Sequence, residues 1–279
     1  MIPSLTIVTA ADETYWRCLW QFFLSARRRG VAKEARLVAY DLGLEGSTLA
    51  RFKRAFPWAE FRRFDFTHYP RHVAVATRSY AWKPLIVALA ATEFGGDILW
   101  LDSANLFRTG DLSDVRTALA QGGTYVLKGA SALELRCDAA VLDDLGVPEE
   151  DRKRPERPSG IVGFDTKRAA VRNLIAEWAS LALQPERILS RTKGHNPDQA
   201  LLSILLFKYQ RQGEIGLSED EIDISSPAPV RWVSTRNKVS NGVPVWADPL
   251  VRLHYFFDKT LDQAWLRFQR RRRMGHKAG

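Results

Sequence analysis

An α/β fold with a mostly parallel central sheet flanked by helices is predicted by three features of the sequence. Short β-branched runs alternate with helical periodicities in β-α-β-α-β order over the first 66 residues. The run 97–102, DILWLD, is almost wholly apolar and ends in a carboxylate, as a central strand of such a sheet would. The chain has 279 residues, 46% hydrophobic and 26% charged, which suits a real core and excludes disorder, collagen and coiled coil for the whole.

Each element has its own local reason. Residues 5–9 (LTIVT) form a buried-strand pattern that stops at Ala10, Ala11 and Asp12, where a helix can begin. Trp16, Leu19 and Phe23 recur at helical spacing until Gly30 offers a stop. A second strand is expected over 35–40, then a turn at Asp41-Leu42-Gly43, a helix around Leu49, Phe52 and Phe56, and a third strand over 61–66. Pro84 suits the first turn of a helix over 83–94 that ends before Gly95-Gly96. After Gly122-Gly123 come a strand over 124–127, a loop over 148–159, a strand over 160–164 and helices over 168–183 and 197–212. The loop, PEEDRKRPERPS, carries four acids, four bases and three prolines and is expected to be exposed, as a lid or an insertion. A short strand over 253–257 and a basic helix or tail over 260–279 complete the expected order, with no internal repeat and no domain boundary.

The formal charge of +9 favours acidic partners: phosphorylated small molecules, nucleic acid or an anionic membrane face. Cys18 and Cys137 stand far apart without CxxC or Cys/His spacing, which disfavours a disulfide framework or a structural zinc site. Residues 1–16 lack the basic start of a secretory signal, and no apolar run reaches the ~18–20 residues that cross a bilayer. A cytoplasmic location is the expectation. There is no GxxxxGK[ST] loop, no GxGxxG after the first strand, no HExxH and no GxSxG, so P-loop and NAD-type chemistries find no support. In open α/β sheets ligands collect at the carboxyl ends of the strands, which places Asp102, Ser103 and Asn105 in the expected crevice.

Six segments occur in an order that resembles nucleotide-sugar glycosyltransferases of the GT-A fold, especially glycosyltransferase family 8 and related uncharacterised domains. They are TIVTAADETYW (6–16), VAYDLGL (38–44), YAWKPLIV (80–87), DILWLDSAN (97–105), SGIVGFD (159–165) and NPDQALLS (196–203). The resemblance implies a single GT-A-like domain and transfer of a sugar from a nucleoside diphosphate donor, a UDP-sugar first, to a glycan or lipid-linked hydroxyl. It also implies retention of anomeric configuration.

Carried over residue by residue, the resemblance sets Thr9, Ala10, Ala11 and Tyr15 against the nucleoside; small residues there also simply let a strand turn into a helix. Lys83 opens a helix beside the crevice, where an ammonium neutralises a diphosphate or is merely solvated. Asp102 stands where the family places Asp-x-Asp, the ligands of Mn²⁺ or Mg²⁺, which stabilises the departing diphosphate as a Lewis acid. This chain reads Asp102-Ser103-Ala104, so the second carboxylate is missing and Asn105 and His254 remain as further ligands. His254 equally suits a hydrogen-bonded core position. Asp198 and Gln199 match the family's catalytic Asp-Gln pair near the donor sugar, although Asp198 also suits the positive end of a helix dipole. Gly160, Arg236 and Lys238 complete the expected donor contacts.

Two other readings accompany this one. The broken Asp-x-Asp motif fits a nucleotide- or glycan-binding module without turnover. Leu261, Trp265 and Phe268 followed by Arg270 to Arg273 fit peripheral contact with an anionic leaflet at the inner face of a membrane, or an adaptor for such lipid. No helix-turn-helix, zinc-finger or RNP pattern supports nucleic acid.

Overall fold

A computed structural model describes residues 5–189, 197–218 and 232–234. In chain order the elements are β1 (Leu5–Ala11), α1 (Trp16–Arg28), α2 (Val31–Glu34), β2 (Arg36–Asp41), α3 (Gly46–Ala55), β3 (Glu60–Arg63), α4 (Trp82–Phe94), β4 (Asp97–Leu101) and β5 (Asn105–Phe107). They continue with α5 (Ser113–Gly122), β6 (Thr124–Val126), α6 (Ala139–Asp144), α7 (Glu149–Arg152), β7 (Ile161–Asp165), α8 (Ala169–Ala182), α9 (Pro185–Ile188), α10 (Pro197–Arg211) and β8 (Trp232–Ser234).

The main sheet has the order β3-β2-β1-β4-β7-β6. β3, β2, β1 and β4 run parallel, with Val8 opposite both Val38 and Trp100. β7 joins β4 antiparallel, pairing Leu101 with Ile161, and β6 pairs antiparallel with β7. Every residue of β4 is buried, as its near-continuous apolar run requires of a strand covered on both faces. Gly163 permits close packing on its neighbours, because a Cβ there would stand 3.1 Å from Tyr125 Cβ and 3.3 Å from Leu119 Cδ2.

Two apolar layers cover the sheet. On one face, Phe22 and Phe23 of α1 pack with Phe52 and Phe56 of and beside α3 and with Leu119 of α5. On the other, Ile86 and Val87 of α4, Trp178 of α8 and Leu205 of α10 close over Val8, Trp100 and Val162. Fully burying one such side chain stabilises the fold by about 1.5–3 kcal/mol before entropy is counted. α4 ends at Gly95, whose φ of 61° lets its N–H turn back to the Ala91 carbonyl, a cap that a side chain at that position would disfavour. β5 and β8 form a separate antiparallel pair in which Trp232 Nε1 lies 3.3 Å from the Tyr125 hydroxyl.

The expected strands and helices up to residue 212 are present, with ends shifted by one to three residues. The expected strand over 253–257 and the basic segment over 260–279 lie outside the described residues. Segment 148–159 departs from expectation. It opens with the short helix α7, and Asp151, Glu156, Arg157 and Ser159 are buried rather than exposed. Part of the reason is that several of its charged and backbone groups find partners within the fold. Asp151 is paired with Arg154 at 3.0 Å and with Arg211, and the Arg157 amide donates to Ser203 Oγ at 2.8 Å. The Glu156 amide donates to the Ser131 carbonyl at 2.9 Å, which ties the segment to the stretch after β6.

Candidate active site

The carboxyl edge of β4 is tied to the start of β7. The Asp102 amide donates to the Gly160 carbonyl at 2.9 Å, and Asn105 Nδ2 donates to the carbonyls of both Asp102 and Gly160 at 3.0 Å. Because β7 runs antiparallel to β4, its first residues arrive at the end where β4 stops. Strand periodicity places Trp100 on the same face as Asp102, and its Nε1 donates to Asp102 Oδ1 at 2.8 Å. At Gly160 an added Cβ would meet Asp102 Oδ2 at 2.8 Å, so glycine is what allows the carboxylate to rest against the β7 backbone.

Lys83, near the amino end of α4, points into this edge. Its Nζ lies 2.9 Å from Asp198 Oδ2, 3.2 Å from Asp102 Oδ1 and 3.1 Å from Ser159 Oγ. Ser159 Oγ in turn donates to Asp198 Oδ2 at 2.6 Å. Burial alone would push the Lys83 ammonium down, but Asp102 and Asp198 outweigh it and hold its pKa above the ordinary lysine range. The two carboxylates are unequal: the Asp198 side chain is 5% exposed and Asp102 is 41% exposed. One buried cation therefore holds two anions, of which Asp102 is the more exposed.

Asp198 stands in the first turn of α10, where the helix dipole favours an anion, and its carbonyl accepts from Trp178 Nε1 at 3.0 Å. The neighbouring Gln199 side chain is held on one side, its Oε1 accepting a long hydrogen bond of 3.4 Å from the Ser159 amide. Desolvation pushes the Glu156 carboxyl above the usual range, opposed by Gln199 and Arg136 and reinforced by Asp198.

Of the residues singled out from sequence, Lys83, Asp102, Asn105, Gly160, Asp198 and Gln199 are thus brought together. Ser103 is buried in the turn after β4. Thr9, Ala10 and Ala11 are buried at the carboxyl end of β1, the same edge of the parallel sheet. Thr9 Oγ1 is buried there with no hydrogen-bond partner among the described residues, an expense of about 1–3 kcal/mol that a ligand hydroxyl or water would offset. Tyr15 closes the short turn after β1, its amide bonded to Asp12 Oδ1 at 3.1 Å. Arg236, Lys238 and His254 lie outside the described residues. Lys83 differs from expectation in being neither solvated nor turned toward open space, since three neighbours already take up its protons.

Trp100, Ser159 and Glu156 belong to this arrangement and were not singled out. Trp100 was signalled by its two-residue distance from Asp102. Ser159 sat inside the SGIVGFD segment, whereas Glu156 was hidden in a charged run. A cleft of about 670 Å³ between β2, α3 and β3, lined by Asp41, Lys53, Arg62 and Asp65 among others, lies away from Asp102 and contains none of the expected residues.

Among the described residues no three His, Cys, Asp or Glu side chains approach closely enough to hold a metal ion. The chemistry of the donors agrees. Asp102 Oδ1 already accepts from Trp100 and Lys83 and position 104 is alanine, so Asp102 Oδ2 and the Asn105 side-chain oxygen are the donors left at this edge. Two oxygens do not amount to the six-oxygen shell that Mg²⁺ demands, so these residues do not by themselves fit the expected cation.

Residues 3–88 match the model of a family of proteins of unknown function, DUF1647. No curated sequence relative matches the chain. Solved structures do. The apo structure of WbbM, a bifunctional glycosyltransferase, is 17% identical, with a TM-score of 0.50 over 73% of this chain and 37% of that one. The galactosyltransferase LgtC, in complex with donor and acceptor sugar analogues, is 18% identical with a TM-score of 0.49, over 72% of this chain and 70% of that one. The glycosyltransferase GlyE of Streptococcus pneumoniae TIGR4 is 16% identical with a TM-score of 0.45, over 77% and 45%. This chain spans a little over a third of WbbM and under half of GlyE. The fold is of the GT-A type.

Proposed function

We propose that this protein transfers a glycosyl group from a nucleoside diphosphate sugar, UDP-linked by the resemblance, to a hydroxyl of a glycan or lipid-linked acceptor. The observation that carries the reading is the Lys83–Asp102–Asp198 cluster at the carboxyl edge of β4, with Gln199 held beside it. In the reaction the bond from the anomeric carbon to the diphosphate breaks, a bond to the acceptor oxygen forms, and the acceptor proton leaves with the nucleoside diphosphate or to water. We assign to Asp102, the more exposed carboxylate of the cluster, the role of accepting a hydrogen bond from a donor-sugar hydroxyl, which fixes the ring. Lys83 and Ser159 hold Asp198, and the Ser159 amide holds the Gln199 side-chain oxygen, so little reorganisation is left for the reacting complex. Retention of configuration is the stereochemical outcome we assign from the family-8 resemblance.

No step is assigned to a metal, since the described donors do not fit one. Mn²⁺ or Mg²⁺ binding that draws on His254 belongs to the test. Contact of segment 260–279 with an anionic inner leaflet, in a cytoplasmic setting, is likewise proposed from sequence; no helix among the described residues is long and apolar enough to cross a membrane. Ala104, standing where a second carboxylate would be, favours as a second reading a binding module that has lost turnover.

The experiment is a thermal-shift screen of nucleoside diphosphate sugars with Mn²⁺ and with EDTA, followed by assays of donor hydrolysis and transfer. A ligand at a hundredfold its Kd stabilises the native state by about 2.7 kcal/mol, well within reach of a melting curve. One donor is expected to raise the melting temperature and to be turned over. Gly160→Ala is expected to lower donor affinity at least about tenfold by displacing Asp102 Oδ2, at a stability cost under about 1 kcal/mol, because the displaced atom ends a flexible side chain. Binding without turnover would favour the second reading, and no response to any donor would refute both.

A further inference from the structure

Two neighbouring helices of the fold carry one sign of charge. α1 holds Arg17, Arg27 and Arg28, α3 holds Arg51, Lys53 and Arg54, and neither holds an acid. The helices on the opposite face of the sheet are mixed: α4 has Lys83 and Glu93, α8 has Arg172 and Glu177, and α10 has Asp198, Lys208 and Arg211. Mixed charge is enough for solubility, and crowding cations into one patch adds repulsion that the fold gains nothing from. Among the described residues Arg27, Arg28, Arg51, Lys53 and Arg54 are exposed and form no ion pair. The carboxylates closest in sequence to α3 stand at its amino end: Glu45 itself, and Glu13, which accepts from the Glu45 amide at 2.8 Å and from Thr48 Oγ1 at 2.9 Å.

The cations lie among indoles. The Arg51 guanidinium carbon stands 4.6 Å from the Trp20 ring centroid and 5.5 Å from that of Trp16, and the Arg17 guanidinium carbon stands 4.5 Å from Trp16. Arg27 stands 5.6 Å from the ring of Phe56, which meets Trp20 edge-on at 4.8 Å and Trp58 at 5.7 Å. Trp16, Trp20, Leu24 and Arg27 recur at the spacing of one helical stripe. Phe22, Phe23, Phe52 and Phe56 beneath them are fully buried and already close the apolar layer, whereas Trp16, Trp20 and Trp58 stay half-buried. A continuous surface of half-open indoles and guanidiniums thus runs along α1 and across α3.

We propose that the α1–α3 face docks on an anionic lipid leaflet, with Arg27, Arg28, Arg51, Lys53 and Arg54 taking lipid head-group phosphates and Trp16 and Trp20 entering the head-group layer. A guanidinium laid along an indole loses little freedom when its planar fork of donors meets a phosphate, and indoles favour the boundary between head groups and acyl chains. Lipid is favoured over nucleic acid because base stacking needs an open ring face, and the rings of Trp16 and Trp20 already lie under Arg17 and Arg51. The face is distinct in sequence from the basic segment 260–279, and the proposal does not rest on the glycosyl-transfer reading.

The test uses the full chain and vesicles of phosphatidylcholine, alone or with about 30% phosphatidylserine, read by co-sedimentation at low salt. Binding is measured at a temperature where circular dichroism shows every variant folded. One variant neutralises α3 (Arg51→Gln, Lys53→Gln, Arg54→Gln), a second neutralises the end of α1 (Arg27→Gln, Arg28→Gln), and a third neutralises the other basic run (Arg270→Gln, Arg271→Gln, Arg272→Gln, Arg273→Gln). The wild type is expected to bind the serine-containing vesicles at least about tenfold more tightly than the neutral ones, and less tightly as salt rises. Each of the two helix variants is expected to lose about tenfold or more of that affinity. Their melting temperatures are expected to stay within about 2 °C of wild type, because the changed side chains are exposed. Loss in both helix variants supports the proposal whatever the third variant does. Equal binding to the two vesicles overturns it, as does either helix variant binding like wild type. Polyuridylic acid bound by the wild type as tightly as the anionic vesicles, and released by the helix variants, assigns the face to nucleic acid and overturns it too. The donor screen decides the glycosyl-transfer reading separately.

Discussion

The Lys83 cluster and the Asp151 cluster are both buried ionic groups, and their stoichiometry is opposite. At Lys83 one ammonium serves two carboxylates, one of them 41% exposed. At Asp151 one carboxylate, 3% exposed, serves the guanidiniums of Arg154 and Arg211. Arg154 also donates to Gln210 Oε1 and stacks over Phe207, its carbon 3.9 Å from the ring centroid. The second cluster is closed: the excess cations reach solvent, and the group clamps the segment after α7 onto α10. The first keeps an excess anion whose outer member, Asp102, is partly exposed. An ionic group can therefore be read as clamp or seat by asking which sign is left over and how exposed its bearer is.

Removing the shared ion should break the contrast most severely at Lys83. Lys83→Met leaves Asp198 buried with Ser159 as its remaining side-chain donor, and the expected destabilisation is about 3–5 kcal/mol by urea unfolding. The pH sense follows from the same group. Its folded pKa lies above the unfolded value, so its stabilisation is complete below about pH 10.5 and is lost only as the pH rises beyond it. Equal stability of variant and wild type would mean that the cluster is solvated. Asp151→Asn leaves two guanidiniums that already touch water and retains an acceptor, so about 1–2 kcal/mol is expected by the same measurement. A loss as large as that of Lys83→Met would erase the distinction between the two clusters.

The smallest expected effect sharpens the comparison where the two regions meet. Glu156 lies on the clamped segment near Gln199 of the candidate site, and burial raises its pKa. The folded state then holds this proton more tightly than the unfolded state, so ionisation costs stability as the pH rises from about 4.5 through the raised value. Glu156→Gln, neutral throughout, should gain stability relative to wild type across that window and hold a constant difference above it. Unfolding curves at steps from roughly pH 4 to 8 check this, and a pH-independent difference would contradict it.

The site was more legible than the segment beside it, for a physical reason. Asp102, Lys83 and Asp198 each sit where a strand ends or a helix begins, and such ends announce themselves through apolar runs, Pro84 and Pro197. The burial of 151–157 depends on partners far along the chain: Gln210 and Arg211 satisfy charges that composition alone reads as solvated, and Ser203 accepts from the Arg157 amide. Strand direction was hidden as well. The pattern GIVGFD states a buried strand, but nothing in it says that β7 runs against β4, and that reversal is what carries Ser159 and Gly160 to Asp102.

The place of β7 between β4 and β6 also bears on how the protein is made. β1 to β4 can assemble as soon as residue 101 emerges, but the far edge of β4 waits for residues 161–165. At about 5–20 residues per second those ~60 residues take roughly 3–12 s. For that interval Ile98, Leu99 and Trp100 form the open edge of a nascent sheet, with unpaired amides and carbonyls on the most apolar strand of the fold. A chain cut short before Ile161 would keep Lys83 and Asp102 and still present that edge to every neighbouring copy on the polysome.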